Sequence, residues 1–342
     1  MILYDETHPL SFYDLGIQIP VFESKAKALF RHLCQSQDLA ATVSRWHVPR
    51  IEESIGREDL LRVHTPEYVA RLFGSGLEEE ILRTYELIDA SGSYRRYDPG
   101  QATQPLSLLF ERILQRVAGS CQCCRLALEQ GFCFYFGGGM HHAHADHGAG
   151  FCLINDILVA LGKLQAEGLA KRAWIIDVDA HKGDGTAAIA RSDPTITTLS
   201  LHMAHGWPLD GEERDGDGRL NPSFVPSDID LPVASGQEAE YPEKLRQGLE
   251  LLASYPRPDL AVVVCGADPY ELDELESARK LQLSLEQLLE RDMTIYRFLQ
   301  RRGLPAAYLM AGGYGPHAWR VYAQFLERVL PERLAGENEA RI

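Results

Sequence analysis

Short apolar runs alternate with longer, mixed segments through most of the chain after residue 130. The apolar runs predict strands at 132–136, 173–178, 196–203, 260–265 and 306–310. The segments between and after them predict helices at 155–168, 183–192, 237–254, 284–303 and 316–330. Strands without polar alternation are typical of a parallel sheet that helices cover on both faces. We therefore predict an α/β protein with three layers, αβα, around a parallel sheet.

The remaining segments indicate one domain over residues 1–342, because neither an internal repeat nor a linker divides the sequence. The polar stretch 75–104 is interpreted as a divergent surface insertion. The stretch 205–227, rich in Gly, Asp and Pro, is interpreted as a long loop. The polar tail from Pro331 onward is expected to fray.

The negative net charge of the chain argues against some classes of binding partner. The net charge is −15 over 342 residues, so most of the surface repels nucleic-acid phosphate and favours cationic substrates. The N-terminal sequence MILYDETHPLSF lacks the basic and apolar regions of a signal peptide. No apolar run approaches the roughly 18 residues of a membrane-spanning helix. We expect a cytoplasmic protein without a nucleic-acid or membrane partner.

Seven cysteines, an odd number, do not form a disulfide framework in a chain of this length. CQCC at 121–124 lies in a segment with helical periodicity, which would place Cys121 and Cys124 on one face. A zinc knuckle needs a second Cys or His pair at matching spacing. We interpret these thiols as buried core residues.

Chemically active residues follow four of the predicted strands. In an open parallel sheet, ligands gather beyond the carboxyl ends of the strands, so we expect these residues to meet at one edge. In chain order they are His141, His142, Asp179, His181, Asp268 and Tyr314.

The segment DVDAH at 177–181 is the most informative. Alternate residues of an extended chain share a face, so Asp177, Asp179 and His181 can point the same way. Carboxylates that converge are costly without a cation. Asp179, His181 and Asp268 would supply three ligands and leave positions open for water and substrate, as catalytic sites do. Such a set admits Zn²⁺, Fe²⁺, Mn²⁺ or Co²⁺; the structural alternative is a carboxylate pair that caps the helix at 183, with His181 packed beside it.

The segment GGGMHH at 137–142 offers a base beside such a metal. Three glycines let the backbone turn sharply and approach a substrate. His141 and His142 can transfer protons if carboxylates hold their other ring nitrogens, and Asp177 and Asp184 are the available partners. His144 and His147 are interpreted as structural loop histidines.

Five ordered segments resemble the motifs of the zinc-dependent histone deacetylase family: GGGMHHAHADHGAGFCLINDI, IIDVDAHKGDGTAAI, LSLH, GADPYELDEL and AGGY. VHTPEYV at 63–69 is similar to an early motif of that family. The resemblance covers residues 60–320. The segment 105–131 is more similar to the class IV and bacterial branch, which includes histone deacetylase-like amidohydrolases. The resemblance implies the single-domain arginase/deacetylase fold.

The resemblance also implies residue roles. Asp179, His181 and Asp268 would bind zinc, with Fe²⁺ as the alternative ion. His142 would be the general base, His141 its electrostatic or acid partner, and Tyr314 the oxyanion donor, while Asp177 and Asp184 would hold the two histidines. A structural potassium ion would be bound by Asp177, Asp179, His181, Ser200 and Leu201. Substrate would contact Gly150, the tunnel walls Phe151 and Trp207, and Leu275 at the rim.

Two features depart from the family pattern. The aspartate with which class I enzymes grip the substrate backbone has no clear counterpart, since Asp98 lies in the divergent segment. Glu276 stands after Leu275, where the family usually has Gly.

The strand-end residues and the family resemblance together predict a metal-dependent amidohydrolase. It would remove an acyl group from the ε-amine of lysine in a protein or peptide. An acetylated polyamine is the alternative substrate. Arginase-like ureohydrolysis usually needs a two-metal cluster richer in Asp, in which Tyr314 has no place. The non-enzymatic alternative is an inactive acyl-lysine-binding protein on the same fold. The sequence leaves acyl chain length and oligomeric state open.

Overall fold

A computed structural model describes residues 1–7, 12–19, 24–89 and 91–339. Their centre is one eight-stranded sheet in which every pairing is parallel. The strands are β1 (Ile2–Leu3), β2 (His47–Val48), β3 (Phe132–Tyr135), β4 (Ala173–Asp177), β5 (Ile196–Met203), β6 (Ile229–Val233), β7 (Leu260–Cys265) and β8 (Ala306–Met310). Their order across the sheet is β2-β1-β3-β8-β7-β4-β5-β6.

Helices cover both faces of this sheet. They are α1 (Ser24–Gln35), α2 (Val43–Trp46), α3 (Arg57–Leu60), α4 (Pro66–Leu72), α5 (Leu77–Thr84), α6 (Leu108–Gln130), α7 (Asp156–Ala166), α8 (Asp184–Ala190), α9 (Tyr241–Leu252), α10 (Leu285–Arg301) and α11 (Trp319–Glu339). Side chains alternate along each strand: Trp174 and Ile176 pack with α1, α9, α10 and α11, whereas Ala173 and Ile175 pack with α6 and α7. The predicted three-layer α/β architecture is confirmed.

The five predicted strands are present, but β1, β2 and β6 were not predicted. β1 and β2 have two residues each, too few for a pattern to show. β6 contains Pro232, which lowers its strand signal and fits its position at the sheet edge.

The segment 75–104 is more deeply packed than a surface insertion. α5 lies within it and buries Ile81, while Tyr85 and Leu87 join a third apolar cluster formed with α4 and α6. Residue 90 lies outside the described residues.

The C-terminal segment also differs from the prediction. α11 continues through Pro331 to Glu339, and Leu334 is buried in the core cluster. Apolar contacts therefore maintain the helix beyond the point where the sequence predicts fraying. Residues 340–342 lie outside the described residues.

The strand order brings the predicted site together. β3, β8, β7 and β4 are consecutive neighbours, so the segments that follow them emerge at one edge of the sheet. The cysteines at 121, 123 and 124 are buried on α6, as predicted. Within the described part of the chain, none of the helices has the length and apolar character needed to cross a membrane.

Candidate functional site

Two carboxylates and one imidazole meet beyond the ends of β4 and β7. Asp179, His181 and Asp268 are buried, and one donor atom of each lies within 4.8 Å of the others. His181 Nδ1 is 2.9 Å from Asp268 Oδ2 and 3.3 Å from Asp179 Oδ1. The ring therefore directs Nδ1 toward the carboxylates. Such a set of oxygen and imidazole donors fits a divalent transition-metal ion.

A buried arginine joins the two strand ends that carry these ligands. Arg291 on α10 donates from Nη1 to the carbonyl oxygens of Val178 at 3.0 Å and Gly266 at 2.8 Å. Its Nε donates to Asp292 at 2.8 Å, which balances the charge. These charge-assisted bonds fix the distance between the β4 and β7 ends.

Two glycines leave space for the Asp179 carboxylate. A Cβ at Gly266 would lie 2.2 Å from Asp179 Oδ2, and a Cβ at Gly312 would lie 2.5 Å from the same atom. The Gly312 N–H donates to that oxygen at 3.0 Å. The turn after β8 therefore fixes the carboxylate as well as making room for it.

The electrostatics of this cluster favour a positive charge. Burial opposes protonation of His181, but the carboxylates of Asp179 and Asp268 outweigh it and raise the pKa of His181 to about 10. Carboxylates so placed are stabilised by any cation between them.

Two histidine–aspartate pairs adjoin the cluster. His141 Nδ1 is 2.6 Å from Asp177 Oδ2, and His142 Nδ1 is 2.7 Å from Asp184 Oδ1. The ring centroids of the two histidines are 3.9 Å apart. Because each Nδ1 is held by a carboxylate, each Nε2 is the nitrogen left for proton exchange.

The two imidazoles differ in basicity. Burial disfavours protonation of both. For His141, the charges of Asp177 and Asp179 outweigh burial and raise the pKa to about 9. For His142, burial and then the neighbouring His141 lower the pKa to about 4. Near neutral pH the arrangement favours a protonated His141 beside a neutral His142.

Asp184 has three partners rather than one. Besides His142, its Oδ2 accepts from Ser223 Oγ at 2.8 Å and lies 3.1 Å from His144 Nε2. His144 is buried and stacks on His147, which is exposed. His144 therefore helps to hold Asp184.

Asp156, the first residue of α7, holds the glycine-rich turn after β3. Its carboxylate accepts the N–H groups of Gly139 at 3.0 Å and Met140 at 2.6 Å, and the hydroxyl of Ser120. Gly138 and Gly139 have φ of 80° and 76°, a region that favours glycine. The turn thereby directs both histidines into the site.

The motif at 63–69 fixes the loop that follows the histidines. His64 Nδ1 donates to the His144 carbonyl at 2.9 Å, and His64 Nε2 accepts the Asn155 N–H at 3.1 Å. Tyr68 donates to the Leu153 carbonyl at 2.8 Å. The role of this motif is to support the site, since these contacts are made with loop backbone.

Tyr314 follows the glycine turn after β8. Its N–H donates to Asp273 Oδ2 at 2.6 Å. Lys25 Nζ donates to the carbonyls of Ala311 at 2.6 Å and Gly312 at 3.2 Å, which steadies the same turn. Burial and then the charge of Asp268 raise the pKa of the Tyr314 phenol well above its usual value, so the hydroxyl keeps its proton.

The residues predicted to bind potassium lie on β4, on β5 and in the turn after β4. Asp177 and Ser200 are in register on the two paired strands. Asp177 Oδ1 accepts the Asp179 N–H at 3.1 Å, and Ser200 Oγ is 3.2 Å from His202 Nδ1. Leu201 packs in the core cluster beside α9 and α10.

A cavity of about 500 Å³ opens at the site. Its lining includes His141, His142, Phe151 and Tyr314. The rings of Phe151 and Tyr314 pack edge-on, with centroids 6.5 Å apart.

Two of the four predicted substrate contacts line this cavity, and a third, Trp207, packs beside it on His142. Trp207 packs 4.5 Å from the His142 ring, and a Cβ at Gly150 would collide with both of these rings, at 2.2 Å and 2.7 Å. Gly150 and Phe151 are themselves lining residues. Leu275 is not among the described lining residues, and its N–H is bound by Asp273.

Several supporting residues escaped the sequence reasoning because each looks ordinary in isolation. Three of them lie in or just after a motif segment, and the other three lie in no motif. They are Lys25, Asp156, Ser223, Asp273, Ser277 and Arg291.

Comparison with known proteins agrees with this arrangement. Residues 20–330 match the model of the histone deacetylase domain. An uncharacterized protein of Picosynechococcus sp. is 32% identical over 253 residues, which is 74% of each chain. Histone deacetylase 2 of Arabidopsis thaliana is 27% identical over 333 residues, covering 96% of this chain and 78% of that protein.

The chain is also similar to a bacterial protein that is not named as a histone deacetylase. Acetoin utilization protein AcuC of Bacillus subtilis is 28% identical over 198 residues, covering 56% of this chain and 49% of that protein. These relatives and the matched domain support a deacetylase or amidohydrolase function, and the family generally implies a metal ion. The parallel αβα fold and the Asp179–His181–Asp268 cluster agree with this match. The match over residues 20–330 shows that the chain belongs to the histone deacetylase family.

Proposed function

We propose that the protein hydrolyses an N-acyl amide, with acyl-lysine in a protein or peptide as the leading substrate. The observation that carries the proposal is the contact of the Asp179–His181–Asp268 cluster with two histidine–aspartate pairs at one cavity. Family membership supports the same reaction class.

Asp179, His181 and Asp268 would hold the divalent ion, which we take to be Zn²⁺, with Fe²⁺ as the alternative. When bound, the ion would polarise the acyl carbonyl and lower the pKa of a water molecule. The donor set fits because imidazole and carboxylate suit both ions. A structural potassium ion at Asp177, Asp179, His181, Ser200 and Leu201 is part of the proposal.

The chain's own residues would move the protons. His142, held through Nδ1 by Asp184, would accept a proton from the attacking water at Nε2. His141, held by Asp177, would stabilise the developing negative charge and would protonate the departing amine. The Tyr314 hydroxyl would donate to the carbonyl oxygen as its charge grows.

Substrate would enter between apolar walls. Phe151 and Trp207 flank Gly150 beside His142, and such walls suit the methylene stem of a lysine. The net charge of −15 favours a cationic product, which acyl-lysine peptides and acetylated polyamines both give. We place the reaction in the cytoplasm.

A turnover panel tests the proposal. Acetyl-, butyryl- and trifluoroacetyl-lysine peptides and acetylspermidine would be compared, with the His181→Ala variant as the metal-site control. We expect measurable hydrolysis of at least one lysine peptide, and loss of both metal and activity in the variant.

The outcomes separate the alternatives. Exclusive turnover of acetylspermidine would replace the lysine substrate by a polyamine. Tight peptide binding without turnover in a metal-loaded enzyme would favour the inactive binding protein. Wild-type metal content in His181→Ala would remove His181 from the ligand set.

A further inference from the structure

In the loop that follows β7, Ser277 contacts the cluster formed by Asp179, His181 and Asp268, and it has no role in the proposed reaction. Ser277 Oγ lies 3.0 Å from His181 Nε2, on the side of the ring opposite the carboxylates. Since Nδ1 points toward Asp179 and Asp268, Nε2 is the nitrogen that carries the proton when Nδ1 binds a metal. The Ser277 hydroxyl oxygen then accepts this proton in a hydrogen bond.

The backbone around Ser277 is fixed by its neighbours. Ser277 lies in a single 3₁₀ turn, Glu276–Ala278, whose last residue is buried. The N–H of Leu275, just before the turn, is bound by Asp273 Oδ1 at 2.8 Å. The other oxygen of Asp273 accepts the Tyr314 N–H at 2.6 Å. The hydroxyl is therefore presented to His181 by a segment anchored to the site itself.

We propose that Ser277 is a positioning residue that fixes the ring orientation and the Nε2–H tautomer of His181, and so tightens metal binding at Asp179, His181 and Asp268. The inference rests on the proposed function only in requiring a metal at this cluster. A ligating histidine normally donates its other N–H to an acceptor, and removal of that acceptor typically weakens metal binding about 10- to 100-fold.

Ser277 lies directly after a residue that departs from the family pattern. Glu276 stands where the family usually has Gly, and the segment at this point forms the turn that carries Ser277. The side chain of Glu276 is exposed, whereas Ser277 turns inward to the ring. The turn therefore directs Glu276 to solvent and Ser277 to the His181 ring.

The test is metal affinity, measured without substrate. Full-length wild-type, Ser277→Ala and Ser277→Thr proteins would be titrated with Zn²⁺ in competition with a chromophoric chelator. Ser254→Ala is the matched control, since its exposed hydroxyl contacts only the Leu251 carbonyl in its own turn. We expect the Ser277→Ala dissociation constant to rise about 10- to 100-fold, with Ser277→Thr and Ser254→Ala near wild type.

A spectroscopic measurement separates positioning from a general loss of structure. The visible absorption of the Co²⁺-loaded protein reports ligand geometry, and it should change in Ser277→Ala while the melting temperature of the metal-free protein does not. Unchanged Zn²⁺ affinity and an unchanged Co²⁺ spectrum in Ser277→Ala would overturn the inference. A wild-type protein that binds Zn²⁺ but hydrolyses no acyl amide would refute the proposed function and leave the role of Ser277 intact.

Discussion

His141 and His142 are adjacent and have the same kind of carboxylate partner, yet their protonation differs. The pKa of His141 is raised to about 9, because Asp177 and Asp179 outweigh the effect of burial. The pKa of His142 is lowered to about 4 by burial and by His141. The charge of Asp179 near one ring and the charge of His141 near the other thus give the two imidazoles different pKa values.

Removing either histidine should affect chemistry without removing the metal, since neither is in the three-residue cluster. We expect His142→Ala to lower kcat at least ~10²-fold, the usual scale for a positioned acid–base group. Steady-state kinetics with elemental analysis of each variant measures this. Near-normal kcat in His142→Ala with an inactive His141→Ala would reverse the two roles.

Tyr314→Phe retains the ring and removes only the hydroxyl. If that hydroxyl donates to the developing oxyanion, kcat should fall about 10²–10³-fold, whereas a tyrosine used only for packing would tolerate the change. The assay uses an acetyl-lysine peptide, with metal content and melting temperature checked alongside. Tyr255→Phe, at a partly exposed position, is the control. Wild-type kcat in Tyr314→Phe would exclude the residue from the mechanism.

At the scale of secondary-structure elements, the site depends on how closely strand ends approach each other. β4 and β7 pair in register up to Asp177 and Val264. Just beyond that point, Arg291 from α10 donates to the carbonyls of Val178 and Gly266. Gly266, which follows β7, leaves no room for a side chain, because the Asp179 carboxylate lies directly against it.

Gly266→Ala should displace that carboxylate. The added Cβ would lie 2.2 Å from Asp179 Oδ2 and 2.6 Å from its Cα, and backbone atoms cannot yield easily. We expect weaker metal binding and lower stability, measured by Zn²⁺ titration and thermal unfolding. Gly216→Ala is the matched control, because nothing lies within 4 Å of its added Cβ. Equal metal affinity in both variants would show that the Asp179 position tolerates movement.

At the scale of the whole molecule, buried neutral histidines make stability depend on pH. Burial lowers the pKa of His64 to about 4, against hydrogen bonds to the backbone of the 144–145 segment that raise it. A histidine with a lowered folded-state pKa stabilises the fold fully above its unfolded pKa, near 6.5. That contribution is lost as pH falls from about 6.5 toward 4, because the unfolded chain takes up the proton first.

We expect the free energy of unfolding of the metal-free protein to decrease over this range. The share from His64 has an upper limit of about 3 kcal/mol, from 1.36 kcal/mol per pKa unit. Urea unfolding at several pH values, compared between wild type and His64→Gln, isolates that share. The variant should be less stable at pH 7 but lose less stability on acidification. Parallel pH profiles for both proteins would contradict the assignment.

Much of the fold was predictable because its central strands are apolar on both faces. The segments that became β3, β4, β7 and β8 are almost entirely apolar, and that pattern has few alternatives to a covered parallel sheet. β1, β2 and α5 were missed, since a two-residue strand and a short helix in a polar segment acquire their stability from neighbours. Packing of Ile81 and Leu87 is not visible in local sequence.

The sequence by itself determined which residues follow which strands, and so the candidate set Asp179, His181, Asp268, the two histidines and Tyr314. It did so because the chemistry of each side chain and its position directly after an apolar run can be read from the local sequence. Only the tertiary structure decided the supporting contacts, such as Asp156 with the glycine turn, Arg291 across β4 and β7, and Ser277 with His181. These contacts join segments distant in the chain, and hydrogen bonds of a few ångströms exist only once packing has fixed both partners.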